Sequence, residues 1–209
     1  MEQRTEEWFR ARAGKVTASR VADIIAKTKS GYSTSRDNYM AELICQRLTG
    51  TVGESFQNAA MVWGTNTEPL ARAAYASAKG TSVEEIGFVP HPTIDGSGAS
   101  PDGLVGENTL VELKCPLTNT HINTLLEQEV PTKYYVQMQW QLACTGRQYC
   151  DFVSFDPRMP EHMQLYIHTV ERDEKMIANL EAEVSKFLSE MANKIERLNK
   201  ICGETNEQK

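Results

Sequence analysis

Ala99-Ser-Pro-Asp-Gly-Leu-Val-Gly-Glu-Asn-Thr-Leu-Val-Glu-Leu-Lys-Cys-Pro116 joins a tight turn to a short strand and brings Asp102, Glu112 and Lys114 together. In Ser-Pro-Asp-Gly the proline fixes a negative φ and the glycine permits a bend, so Asp102 is expected at the start of a hairpin. Residues 110 to 114 then alternate. Side chains two apart on a strand share a face, so Leu110, Glu112 and Lys114 point one way while Val111 and Leu113 point into the core. A carboxylate and an ammonium are thereby held about 7 Å apart along the strand, with Asp102 able to fold back beside them. Glu-X-Lys alone also describes a solvated pair on an exposed sheet face. With Asp102 added, the group has the oxygen donors of a hard divalent cation such as Mg2+ and a lysine that can orient a water.

At 209 residues the chain has the length of a single domain, residues 1–209, with the end from about 200 expected to fray. Its 40% hydrophobic and 24% charged content is that of a soluble globular protein. Residues 1 to 20 are rich in charge, and no apolar run approaches the roughly 18 residues of a membrane span, which points to the cytoplasm. Cys45, Cys115, Cys144, Cys150 and Cys202 include no Cys-X-X-Cys pair, which argues against a disulfide framework, a zinc site or an iron–sulfur cluster. His91, His121, His162 and His168 show no ligand spacing and read as structural or surface residues. The net charge of −6 counts against indiscriminate nucleic-acid binding, although metal-binding carboxylates contribute to it and basic residues can still line one surface.

Outward from the central stretch, Trp8 and Phe9 read as packing anchors, Gly14 as a turn, and Thr17 or Ser19 as the N-cap of a helix carrying Val21, Ala22, Ile24 and Ile25. Arg10, Arg12 and Lys15 lie beside that helix start, where backbone N–H groups favour an anion such as phosphate; a solvated basic loop is the other reading. Residues 27–35 read as a loop, and a helix follows from Ser35 or Asp37 to Gly50. After a break at Gly53, a helix over 57–79 contains Glu68 and is expected to bury Met61, Val62, Leu70, Ala73, Ala74 and Ala78.

Strands at 83–90 and 104–114 suggest that the sheet begins as an antiparallel meander. Thr118 is placed as the cap of a short helix with Ile122, Leu125 and Leu126 inside. Lys133 to Cys144 follows as a helix closed by Gly146, with Gln137, Gln139 and Gln141 forming either a polar face or water-positioning groups. Segments 150–155 and 163–170 form a second hairpin, and from Asp173 a long helix carries an apolar stripe from Met176 to Leu198. This order describes an α/β (α+β) fold, a mixed central β-sheet flanked by helices.

Several motifs in register resemble one family: Trp8-X-X-X-Arg12-X-Gly14-X-X-Thr17-Ala-Ser19, Trp63-Gly64 followed by Glu68, Ser100-Pro-Asp-Gly103, Glu112-Leu-Lys-Cys-Pro116, Gln137-X-Gln139, Asp156-Pro-Arg-Met159 and Glu171-Arg-Asp-Glu174. The chain is similar to phage lambda exonuclease and its viral recombinase relatives in the restriction-endonuclease-like superfamily, over about residues 6 to 195. The resemblance implies a Mg2+-dependent 5′→3′ exonuclease on linear duplex DNA that releases 5′-mononucleotides and leaves 3′ overhangs for phage single-strand-annealing recombination in the host bacterial cytoplasm. It also implies a ring-shaped homotrimer and a phage single-strand-annealing protein as partner. Asp102, Glu112 and the Leu113 carbonyl match the ligands of two Mg2+ ions, for which Mn2+ can substitute, and Glu68 matches an additional acidic group. Lys114 and Gln137 match the residues that attend the attacking water. Arg12 matches the anchor of the 5′-phosphate, Ser19 and Ser100 match polar groups near the phosphates, and Met61 matches an apolar wedge at the end base pairs. Lys29 stands where the family has a second phosphate-binding arginine, keeping the charge without bidentate geometry. Two alternatives share these residues: a structure- or site-specific DNA endonuclease on the same scaffold, and a non-catalytic DNA-end-binding protein.

Overall fold

The computed structural model describes residues 1–51 and 58–204. The chain opens with α1 (Glu6–Arg12), β1 (Val16–Thr17), one turn of 3-10 helix (Ala18–Arg20) and α2 (Val21–Ile25). Neither Thr17 nor Ser19 caps α2, because the 3-10 turn runs straight into it and Arg20 occupies the cap position. Where a loop was expected, β2 (Lys27–Thr28) and β3 (Gly31–Tyr32) pair as a short antiparallel hairpin. The helices α3 (Thr34–Thr49) and α4 (Ala59–Lys79) both end as read from the sequence, on glycines in the left-handed conformation, Gly50 (φ 67°) and Gly80 (φ 60°). The break placed at Gly53 lies outside the described residues.

The expected meander is instead divided between two sheets. β4 (Val89–Pro90) and β5 (Ser97–Ala99) join β1 in a small sheet of order β1-β5-β4. The main sheet contains β6 (Gly103–Val105) and β7 (Thr109–Lys114), then, after α5 (Thr118–Glu127) and α6 (Thr132–Thr145), β8 (Tyr149–Phe155) and β9 (Leu165–Glu171). Its order is β6-β7-β8-β9, with β7 and β8 parallel and the outer pairs antiparallel. Parallel neighbours need a long crossover, and the two helices between Lys114 and Tyr149 supply it. The long α7 (Glu174–Glu204) closes the fold.

Helices cover both faces of the main sheet. On one, Ala71 and Tyr75 of α4 pack on Val111, Leu113, Val153 and Phe155. On the other, Met138 and Leu142 of α6 and Ile177 of α7 pack on Leu110, Cys150 and Phe152. A third cluster joins α2, α3, α6 and α7 around Ile24, Tyr39, Trp140 and Phe187. A strand inside such a sandwich is apolar on both faces. Leu110 is therefore core, like Val111 and Leu113, and Glu112 is buried in the same layer rather than exposed.

Three helix faces differ from expectation. α4 buries Thr67, Ala71 and Tyr75, while Met61, Val62, Leu70, Ala73 and Ala78 are exposed and Ala74 is half-buried. Alanines weigh little in setting a helix's rotation, whereas the Tyr75 hydroxyl donates to buried Asp151 Oδ2 at 2.7 Å and fixes it. In α5, Leu117 rather than Thr118 is the cap residue, and His121 and Thr124 face inward while Ile122 and Leu126 are exposed and Leu125 is half-buried. The His121 ring is held there by Ser154 Oγ and the Met163 carbonyl, both at 2.8 Å. α7 is helical through Glu204, and its stripe buries Leu180, Val184, Phe187 and Met191 before becoming exposed at Leu198.

Candidate active site

Glu112 sits on β7 beneath α6 and is only 1% exposed. A buried carboxylate is tolerable only when its oxygens are hydrogen-bonded. Oε1 accepts from Gln137 Nε2 at 2.6 Å and from Lys114 Nζ, and Oε2 accepts from Gln141 Nε2 at 2.6 Å. Gln137 and Gln141 are one helical turn apart on α6, so both amides reach the same carboxylate. The Lys114 ammonium lies 4.9 Å from the centre of the Tyr134 ring. Burial alone would lower its pKa, but Glu112 and Asp102 outweigh burial and raise it above the ordinary lysine value. At neutral pH Lys114 is a charged donor.

Asp102 lies on the turn before β6, and its Oδ2 accepts the Leu113 N–H at 2.7 Å. β6 begins at Gly103, opposite Val111, so the Asp102 side chain takes the place of a strand partner for the next outward-facing amide. The N–H and C=O of one strand residue point to the same edge, so the Leu113 carbonyl emerges on the Asp102 side. Desolvation, then Glu112, raises the Asp102 pKa well above the carboxylate range; Glu68 adds to this, while Lys114 and the Leu113 N–H oppose it. Two carboxylates beside a single ammonium, with the Leu113 carbonyl, make an all-oxygen donor set that fits a hard divalent cation.

Glu68, on α4, is within electrostatic reach of Asp102 but is ion-paired to Arg4 and, at 2.9 Å, to Arg72. Among the described residues no three His, Cys, Asp or Glu side chains converge on one point. The oxygens that could hold a cation here are those of Asp102, Glu112 and the Leu113 carbonyl, while Glu68 is engaged by Arg4 and Arg72. Arg4, Arg72 and the role of Gln141 were not anticipated. Only the four-residue spacings Glu68–Arg72 and Gln137–Gln141 carried a signal for them.

A cleft of about 370 Å³ is lined by Arg12, Lys15, Ser19, Arg20 and Met61 among others, and Arg12 links it to Ser100 on the turn that carries Asp102. Ser100 Oγ, two residues from Asp102, accepts from both Trp8 Nε1 and Arg12 Nη1 at 3.0 Å. The Arg12 guanidinium is stacked 4.0 Å above the Trp8 ring. Burial lowers its pKa, with Tyr39 opposing, and among the described residues it has no carboxylate partner. Arg20, by contrast, is committed to Asp23 at 2.6 Å and Glu42 at 2.9 Å. A desolvated, stacked guanidinium without a counter-charge is suited to an entering phosphate. Met61 projects into the same cleft and is half exposed, at 51%. Lys29 is in the exposed β2–β3 turn and does not line the cleft.

Residues 7–148 match the model of the YqaJ-like viral recombinase domain. No curated protein matches the chain. Among solved structures, an alkaline exonuclease, LHK-Exo from Laribacter hongkongensis, is 55% identical over 96% of this chain and 100% of its own, with a TM-score of 0.89. LHK-Exo in complex with dAMP gives the same identity and coverage and a TM-score of 0.90. A phage-related exonuclease from Haemophilus somnus 129PT superposes with a TM-score of 0.73 over 88% of this chain and 96% of its own at 16% identity, a likeness of fold.

Proposed function

Because the chain belongs to the YqaJ-like viral recombinase domain family, we propose that it is a Mg2+-dependent 5′→3′ exonuclease that degrades one strand of linear duplex DNA to 5′-mononucleotides. That it is a nuclease, with a restriction-endonuclease-like fold, follows from the family and from 55% identity to an alkaline exonuclease. The observation that carries the finer reading is the buried Glu112 carboxylate, hydrogen-bonded by three donors and set beside Asp102 and Lys114 at one edge of β7. The dAMP bound to the relative supports a deoxynucleoside monophosphate as the product.

In the proposed reaction a water oxygen bonds to phosphorus and the bond to the terminal nucleotide's 3′ oxygen breaks. The nucleotide leaves with its 5′-phosphate, and the shortened strand begins with a new 5′-phosphate. Asp102, Glu112 and the Leu113 carbonyl would hold two Mg2+ ions, or Mn2+ in their place, with Glu68 as an additional acidic group. When bound, such cations supply positive charge opposite the attacking and leaving oxygens. Lys114 orients the water, and Gln137, bonded to Glu112, contacts the same water. Arg12 binds the terminal 5′-phosphate, Ser19 and Ser100 bond to neighbouring phosphate oxygens, Lys29 adds positive charge, and Met61 wedges the end base pairs apart. Each turnover thus regenerates the charge that Arg12 recognises.

The same reading includes a homotrimer around DNA and delivery of the 3′ overhang to a phage single-strand-annealing protein in the host bacterial cytoplasm. It is supported by the family's description as a viral recombinase domain. Among the described residues no helix is long and apolar enough to cross a membrane. Digestion of 5′-end-labelled linear duplex with Mg2+, and with Mg2+ plus EDTA, tests the activity. Labelled mononucleotide should appear at once, only without EDTA, and a closed circular duplex should stay intact. Cutting of the circle would replace the exonuclease with an endonuclease.

A further inference from the structure

Glu112 has a second glutamine partner that the reading of the reaction does not use. We propose that Gln141 is a positioning residue, which sets the plane of the Glu112 carboxylate so that Oε2 keeps one lone pair for a divalent cation. The inference rests on Glu112 being a metal ligand, as proposed above.

An ionised carboxylate has about four lone-pair sites. Gln137 and Lys114 occupy both sites of Oε1, and Gln141 occupies one site of Oε2, leaving a single site on Oε2. The terminal torsion of a glutamate side chain is broad and has little preference of its own, so the plane is held only by these donors. Both donors to Oε1 act on one end of the carboxylate. Gln141, at 2.6 Å from Oε2, is the contact that fixes the other end. Its own orientation is defined. The side chain is fully buried in α6, and its Oε1 faces the Cys150 thiol at 4.0 Å, so reversing the amide would bring two oxygens together against Glu112.

The experiment compares wild type with Gln141→Met, which removes the amide, with Gln141→Asn, which withdraws it by one methylene, and with Gln139→Met as a burial control. Gln139 is equally buried in α6 but bonds the Glu171 carbonyl at 2.7 Å and the Asp173 N–H at 2.9 Å. Mn2+ binding without DNA is read from the electron paramagnetic resonance of the unbound ion, alongside kcat and KM on linear duplex and the melting temperature. The Gln141 variants should bind Mn2+ about 10- to 100-fold more weakly and lose kcat, with KM for DNA within about twofold of wild type. Gln139→Met should melt earlier and bind Mn2+ as wild type does. Should Gln141→Met fail to fold, Gln141→Asn carries the comparison, and failure of both to fold would make Gln141 structural and overturn the proposal. Wild-type Mn2+ affinity in a folded Gln141 variant overturns it too, leaving the exonuclease reading in place. A wild-type protein that neither binds Mn2+ nor hydrolyses DNA overturns that reading instead.

Discussion

Asp102 Oδ2 and the Leu113 N–H, 2.7 Å apart, join the turn to the strand at the point where β6 has not yet begun. One side chain thus completes a sheet edge and offers a carboxylate to the site. Asp102→Asn separates the two tasks, since an amide oxygen still accepts the Leu113 N–H but carries no charge. We expect a melting temperature close to wild type and a fall in kcat of about a thousandfold or more, the several kcal/mol that metal ligation contributes to the transition state. Calorimetry and digestion of labelled duplex on one preparation give both numbers.

Lys114→Met keeps the aliphatic packing against Tyr134 and removes the ammonium beside Glu112. Hydrolysis should drop by at least about a hundredfold, as expected for loss of a group acting on the reacting atoms. Affinity for duplex ends, measured with Ca2+ in place of Mg2+, should change little. A variant that binds DNA poorly but cleaves what it binds at the normal rate would move Lys114 from the chemistry to binding.

Arg12→Ala should weaken discrimination between 5′-phosphate and 5′-hydroxyl ends. A charge-assisted hydrogen bond is worth about 1.5–3 kcal/mol, so the preference for the phosphorylated duplex should shrink by about ten- to a hundredfold. Matched duplexes differing only in that phosphate provide the comparison, and an equal loss on both would remove the role assigned to Arg12.

Acid sensitivity has an identifiable contributor in Asp156. Burial works against its charge, but donors from Arg158 (2.8 and 2.9 Å, and its N–H at 3.0 Å) and from Thr118 (2.7 Å) prevail and hold its pKa at about 2, against 3.8 ordinarily. A carboxyl depressed in the folded state stabilises it above the unfolded pKa, and that contribution is lost as pH falls through the folded pKa. Asp156→Asn should therefore lower the melting temperature by about 2–6 °C at pH 7, with the gap to wild type closing between about pH 4 and pH 2. A gap unchanged across that window would assign the effect to packing.

The elements that could be read from the chain alone are those whose determinants are local. α3 and α6 end on Gly50 and Gly146 because a left-handed residue stops a helix, and the 150–170 hairpin shows in its alternation. β5 could not be read that way. Ser97-Gly-Ala99 has no alternating apolar pattern, and Gly98 is needed because a Cβ there would meet the Phe88 ring at 2.4 Å and the Val89 carbonyl at 2.5 Å. The rotations of α4 and α5 depend on Asp151 and Ser154, which lie far along the chain. Within the site, Asp102, Glu112 and Lys114 were visible as a pattern. The burial of Glu112 was not, since its glutamine partners lie 25 and 29 residues away.

The leading residues are stitched to the turn that carries Asp102. Gln3 Nε2 donates to the Ile86 carbonyl at 2.8 Å and the Pro101 carbonyl at 2.7 Å, and Arg4 follows with its ion pair to Glu68. A purification handle placed ahead of Met1, or a deletion of residues 1–4 meant to tidy the protein for crystallisation, would pull directly on the backbone beside Asp102. Handles belong beyond α7, where the last described side chains before Glu204 are exposed.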